Sequence, residues 1–114
     1  MTELDNLTSL NLNNNLLKSL EMLTNLKGLG VVRLYNNQLN DIEPLANLHG
    51  LYCLDLRRNE ISDISPLVKN HGLGKDIVNT IELTDNPLSA DSLDIYIPQL
   101  KQRRVKVIYN TPHQ

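Results

Sequence analysis

Leucines and asparagines recur along the chain in one fixed frame. Leu7, Leu10, Leu12, Asn15 and Leu17 follow the spacing L-x-x-L-x-L-x-x-N-x-L, which returns as Leu29, Val32, Leu34, Asn37, Leu39 and again as Leu51, Leu54, Leu56, Asn59, Ile61. The copies begin at residues 7, 29 and 51, a period of 22 kept twice. A fourth copy, Val78, Ile81, Leu83, Asn86, Leu88, follows after 27 residues, and Val105-Lys106-Val107 is a partial last one without the asparagine. Within each copy the x-L-x-L-x segment alternates, which predicts a short strand with its apolar residues on one face. One such strand cannot bury its leucines alone. Stacked copies can, as a parallel sheet over a shared core.

The segments between strands repeat as well. Asp41-Ile42-Glu43-Pro44-Leu45-Ala46-Asn47-Leu48 matches Asp63-Ile64-Ser65-Pro66-Leu67-Val68-Lys69-Asn70. The prolines forbid a long regular α-helix there. Apolar residues at steps of three (Leu39, Ile42, Leu45, Leu48, Leu51) suit 3₁₀-like turns, in which residues i and i+3 eclipse, with Asp41 and Asp63 as caps. The first return, residues 17–26, keeps the three-step pattern without the proline. At the ninth position Asn15, Asn37, Asn59 and Asn86 fall where the chain leaves the strand. Amides at a shared register predict a structural ladder inside the solenoid that satisfies backbone groups of the turn, whereas exposed turn asparagines need no common register. Near the C-terminus Ser89 or Ser92 caps a helix with an apolar stripe at Leu93, Ile97 and Leu100, which Pro98 should kink or split. That helix covers the last coil. At the other end Met1, Leu4 and Leu7 continue the return pattern, so the chain reads as starting inside a repeat, without an N-terminal cap, as a fragment of a longer protein.

A period of 22 lies in the range of leucine-rich repeats. Asn37 to Leu48 and Asn59 to Leu67 resemble the 22-residue repeats of bacterial internalin-type proteins. The closing segments Asn86-Pro87-Leu88-Ser89, Tyr96-Ile97-Pro98-Gln99-Leu100 and Arg104-Val105-Lys106-Val107 resemble the closing unit of such proteins. Arg103-Arg104 departs from it, since a glycine usually precedes the final valine. The resemblance implies a curved solenoid whose sheet forms a concave, partner-binding face. The expected architecture is an α/β, right-handed leucine-rich-repeat solenoid, one domain over residues 1–114. Short parallel strands line its concave side, 3₁₀ or irregular turns its convex side, and a helical cap spans about residues 89–110.

Composition narrows the function classes. Leu (23 residues) and Asn (15) make up a third of the 114, and the core must be aliphatic because the aromatics are four Tyr with no Phe or Trp. Eleven basic against 13 acidic side chains, net −2, give no electrostatic reason to expect nucleic acid or an anionic membrane. No apolar run approaches the ~20 residues of a membrane span, and the first residues do not resemble a signal peptide, which leaves the compartment open. One Cys excludes an internal disulfide framework and a Cys-rich zinc site.

Chemistry is hard to place on this chain. Gly72-Leu73-Gly74-Lys75 invites a phosphate-loop reading, but the motif's first glycine and its hydroxyl residue are replaced by Lys69 and Asp76. His49 and His71 stack one coil apart without a third ligand, so solvated turn histidines are the better reading. Asp55 and Glu82 fall in a row Asn11, Arg33, Asp55, Glu82, Lys106, a charge-compensated ladder that lacks a nucleophile. Lys101, Arg103, Arg104 and Lys106 form the one basic cluster and suit a helix C-terminus. No catalytic residue, cofactor site or metal site is expected, and the chain does not read as an enzyme.

The expected function is protein recognition on the concave face. The alternative is a structural or regulatory spacer within a larger protein, which would lack exposed aromatic or arginine anchors. Concave positions of the first and fourth coils are small or acidic, whereas the second and third bring together Val31, Arg33, Tyr35, Cys53, Asp55, Arg57 and Arg58. These form the candidate partner surface, matched to an acidic partner or to an apolar projection at Tyr35. The rival reading of this surface pairs Arg33 with Asp55 and lays Tyr35 flat on the sheet as solubilising cover; Cys53 is expected to be a partly accessible free thiol without a catalytic role. Self-association through the uncapped edge around Ser9 to Leu12 is a further expectation.

Overall fold

The structure is a computed structural model that describes residues 7–74 and 79–110. Five three-residue strands, β1 (Ser9–Asn11), β2 (Val31–Arg33), β3 (Cys53–Asp55), β4 (Thr80–Glu82) and β5 (Lys106–Ile108), form one parallel sheet in chain order. Leu10, Val32, Leu54 and Ile81 share a row, so the 27-residue spacing before the fourth frame leaves the register intact. Met1 and Leu4 of the N-terminal pattern, Lys75 and Asp76 of the phosphate-loop reading, and Val78 of the fourth frame lie outside the described residues, as do residues 111–114.

Each coil closes in the same way. Backbone pairing continues past the strand, with Leu34 N–H donating to Asp55 O (2.8 Å) and Asn36 N–H to Arg57 O (2.9 Å). The residue at the eighth position then turns into the left-handed region: Asn14, Asn36, Arg58 and Asp85 have φ of 55 to 64°. The returns are 3₁₀ turns at Glu21–Leu23 and Glu43–Asn47. The third is a single α-helical turn, α1 (Ser65–Lys69), where a 3₁₀ turn was expected. Pro66 sits in its first turn, where the missing N–H needs no acceptor. Asp41 and Asp63 accept from Glu43 N–H and Ser65 N–H (both 2.9 Å), and Ser19 Oγ does so from Glu21 N–H (3.2 Å).

The asparagines bind coil to coil. Asn37 Nδ2 donates to Leu12 O (3.0 Å) and Leu34 O (3.2 Å), and its Oδ1 accepts from Leu17 N–H (3.1 Å). Asn59 repeats this with Leu34 O, Leu56 O and Leu39 N–H, and Asn86 with Leu56 O, Leu83 O and Ile61 N–H. Asn15 differs from the expectation of a fourth interior rung. It is exposed and donates only to Leu12 O and Asn13 O of its own turn, since no coil of the described residues stacks on that side.

The cap also departs from its expected form. The chain is helical from residue 90, passes through a π-turn (Ser92–Tyr96) in which Ile97 N–H reaches Ser92 O, and continues as α2 (Ile97–Gln102). Pro98 therefore neither splits nor ends the helix, because the wider turn before it leaves room for a ring that would crowd the carbonyl of a regular turn. Ser89 Oγ caps the helix at Ser92 N–H (3.1 Å). Ser92 Oγ, fully buried, instead ties the cap to the third coil through Ser62 O (2.7 Å) and Ile64 N–H (3.1 Å).

The helix ends with Arg104 N–H on Lys101 O (2.9 Å), Val105 N–H on Leu100 O (3.1 Å) and Arg104 left-handed at φ 68°. This is the Schellman closure that glycine usually makes, which explains where the departure at Arg104 falls. Val105 packs there beside Leu100, so the sheet resumes at Lys106, opposite Thr80, and Ile108 faces Glu82. The expected row with Lys106 beside Glu82 is thus off by two residues.

Candidate functional site

The outward sheet face is built from three rows. Ser9, Val31, Cys53, Thr80 and Lys106 form one, and Asn11, Arg33, Asp55, Glu82 and Ile108 the next. Asn13, Tyr35, Arg57 and Thr84 continue from the strand ends. Alternation places them all outward because Leu10, Val32, Leu54 and Ile81 face the core.

Asp55 organises the centre of this face. It is the one buried carboxylate among the described residues, at 3% exposure, and Arg57 closes over it. Arg57 Nε donates to Asp55 Oδ1 (2.9 Å), Nη2 to Oδ2 (2.8 Å), and the Arg57 backbone N–H to Oδ1 (3.1 Å). Burial alone pushes the Asp55 carboxyl up, but the hydrogen bonds and charge of Arg57, with the charge of Arg33, outweigh it and hold the carboxyl below its ordinary value. The same contacts raise Arg57 above its ordinary range. The Arg57 guanidinium also lies over the Tyr35 ring, 4.8 Å from its centroid, and the Tyr35 N–H is held by Asn13 Oδ1 (2.8 Å).

This corrects the expected charge ladder. Asp55 pairs with Arg57, two residues on where the chain continues from its own strand, and not with Arg33 across the sheet. Residues i and i+2 of a strand share a face, and the long arginine side chain folds back to make a bidentate contact that carboxylate geometry favours. Arg57 Nε is 3.9 Å from Glu82, and Arg58 Nε is 3.7 Å from Asp85 on the rim. Arg33 is exposed and has no ion pair among the described residues. Val31 and Cys53 are half-buried beside one another, Cys53 as a free thiol.

The other constellations are dispersed. Lys101 lies over the Tyr109 ring (5.2 Å), while Arg103 turns inward, Nη2 donating to Val68 O (2.6 Å) and Nη1 to Asn70 O (3.1 Å). The basic run is therefore not one patch. His49 and His71 are both exposed. Gly74 N–H donates to Asn79 Oδ1 and so is not turned toward a phosphate. An open groove of about 350 Å³ between the first two returns is lined by Ser19, Glu21, Asp41 and Glu43, with Lys69 Nζ 3.4 Å from Glu43.

The interior roles of three polar residues escaped the sequence reading, which placed Asn70 in a return and Arg103 in the basic cluster. Asn70, fully buried, stands where Leu48 stands one coil earlier and donates to Leu45 O (2.8 Å) and Leu48 O (2.9 Å). Asn79 donates to Leu51 O (2.7 Å), and Arg103 joins cap to third coil. Only the break of period between residues 70 and 79 marks Asn70 and Asn79 in the sequence, and nothing in it points Arg103 inward.

Comparison with known proteins places this geometry. The family described as leucine rich repeats (2 copies) matches residues 31–69. No curated protein matches the chain. The crystal structure of internalin C2 (inlC2) from Listeria monocytogenes str. 4b F2365 is similar at 33% identity and a TM-score of 0.73, over 93% of this chain and 43% of that one. That of the internalin inlF from the same organism is similar at 30% identity and a TM-score of 0.69, over 80% of this chain and 25% of that one. The chain thus spans less than half the length of either.

Proposed function

Since the chain is a bacterial internalin-like leucine-rich repeat protein, we propose that it is a non-catalytic recognition module that takes a protein partner on the outward, concave face of its sheet. The observation that carries this reading is the Tyr35–Arg57–Asp55 unit. Ring, guanidinium and carboxylate are held together before any partner arrives, so little side-chain freedom is lost on binding. Tyrosine and arginine are also the types that most often anchor interfaces. A spacer would have no use for a buried carboxylate that fixes an arginine on its open face. Self-association through the edge around Ser9 to Leu12 is part of the same proposal; residues 1–6, which precede that strand in the sequence, lie outside the described residues.

Capture on the immobilised chain tests the reading. A protein retained by the wild type is expected to be lost about tenfold or more with Tyr35→Ala and with Arg57→Ala, and retained with Thr84→Ala. Equal, small losses with all three variants overturn it.

A further inference from the structure

The geometry points to a division of roles on this face: Arg33 takes a carboxylate of the protein partner, whereas Arg57 takes a neutral hydrogen-bond acceptor. This rests on the reading of the sheet face as the binding surface. Three acids and three arginines lie along the third and neighbouring coils, and their pairing is unequal. Arg57 gives its Nε–Nη2 edge to Asp55 and has Glu82 at 3.9 Å, while Arg58 has Asp85 at 3.7 Å. A partner carboxylate brought to Arg57 would be the third acid around one guanidinium. The repulsion from two fixed carboxylates opposes that arrangement. Arg57 Nη1 makes no hydrogen bond among the described residues, and stacking on Tyr35 fixes its plane. What it offers is a directed donor with little net charge behind it, suited to a carbonyl oxygen.

Arg33 is the opposite case. It is exposed, and its nearest carboxylate across the strand, Asp55, is already held by Arg57. Its other cross-strand neighbour is the neutral Asn11. The second coil therefore carries an arginine that makes no ion pair among the described residues, on a face whose other arginines are paired. Lys106, the other cation of the strand rows, lies three strands away. A partner thus presents its acid toward the second coil and main-chain or amide carbonyl toward the third, which fixes its orientation along the solenoid.

Acetate serves as the carboxylate probe. On titrating the whole chain with sodium acetate against sodium chloride at equal ionic strength, the Arg33 side-chain Nε–H resonance is expected to shift severalfold more than that of Arg57. In Asp55→Asn, which keeps the shape and a carbonyl acceptor, the Arg57 shift should rise toward that of Arg33. Equal shifts in the wild type, no shift at Arg33, or an Arg57 that stays unmoved in Asp55→Asn each overturn the assignment. Because no protein partner enters this measurement, its outcome is independent of the capture experiment, whose failure would instead remove the sheet-face reading itself.

Discussion

The second coil and the junction after the third are sealed by different means. In the second, Leu29, Val32, Leu34, Leu39, Ile42, Leu45 and Leu48 fill the interior at 0% exposure, and Asn37 is the only buried polar residue. From residue 70 onward polar groups join the apolar seal of Leu73, Ile81, Leu83, Ile97 and Leu100: Asn70, Asn79 and Ser92 are buried, and Arg103 reaches across from the cap to the carbonyls of Val68 and Asn70. An apolar seal has no direction, so Leu, Val and Ile exchange freely and the same frame can be used again and again. A polar seal has named partners at fixed distances, and it is used once, where the period breaks.

The largest effect is expected in the ladder, the one polar device that the regular coils share. Asn59→Ala leaves Leu39 N–H without its acceptor and takes one of two amide donors from each of the Leu34 and Leu56 carbonyls, which keep Asn37 and Asn86, and should cost about 2–3 kcal/mol in urea unfolding. Asn15→Ala, exposed and bonded only within its own turn, should cost below about 0.5 kcal/mol. Comparable losses at both sites would show that the interior rungs add nothing to the turn itself.

A smaller effect is expected at the junction. Arg103→Ala removes two donors from carbonyls at the end of α1 and should cost about 1–2 kcal/mol, with faster hydrogen exchange at the Lys106 amide than at Leu34. Unchanged exchange in β5 would mean that Ser92 and apolar contact hold the cap without Arg103. The smallest change runs the other way. Arg58 holds the left-handed position that Asn14, Asn36 and Asp85 fill in the other coils, and Arg58→Asn should raise stability by about 0.5 kcal/mol in the same urea measurement. A loss would mean that the Arg58–Asp85 contact outweighs the backbone cost.

What the sequence made legible follows the same division. The strands, the shared row of Leu10, Val32, Leu54 and Ile81, and the capping roles of Asp41 and Asp63 are all periodic, and period is what a single sequence displays. The position of β5 was not legible, because a shift of two residues keeps every side chain on its own face and so preserves the alternation. The Asp55–Arg57 pair was missed for a related reason. Residues two apart on one strand and residues opposite on adjacent strands are both within reach of an arginine, and nothing in their spacing chooses between them. The candidate surface could thus be named by residue, but not by who holds whom.

The asparagine rungs have one more property, which is that they all point backward. Asn37, Asn59 and Asn86 each accept from an N–H and donate to a carbonyl of the coil before their own, and otherwise donate only to carbonyls of their own turn. Every coil arrives carrying the fastener for the one already made. Such a chain can close in the order in which it leaves the ribosome, each new turn finding its attachment points finished. The same asymmetry governs grafting: a coil appended after the fourth brings its own fastener, whereas one placed before the first must present a free amide and a free carbonyl to whatever follows it.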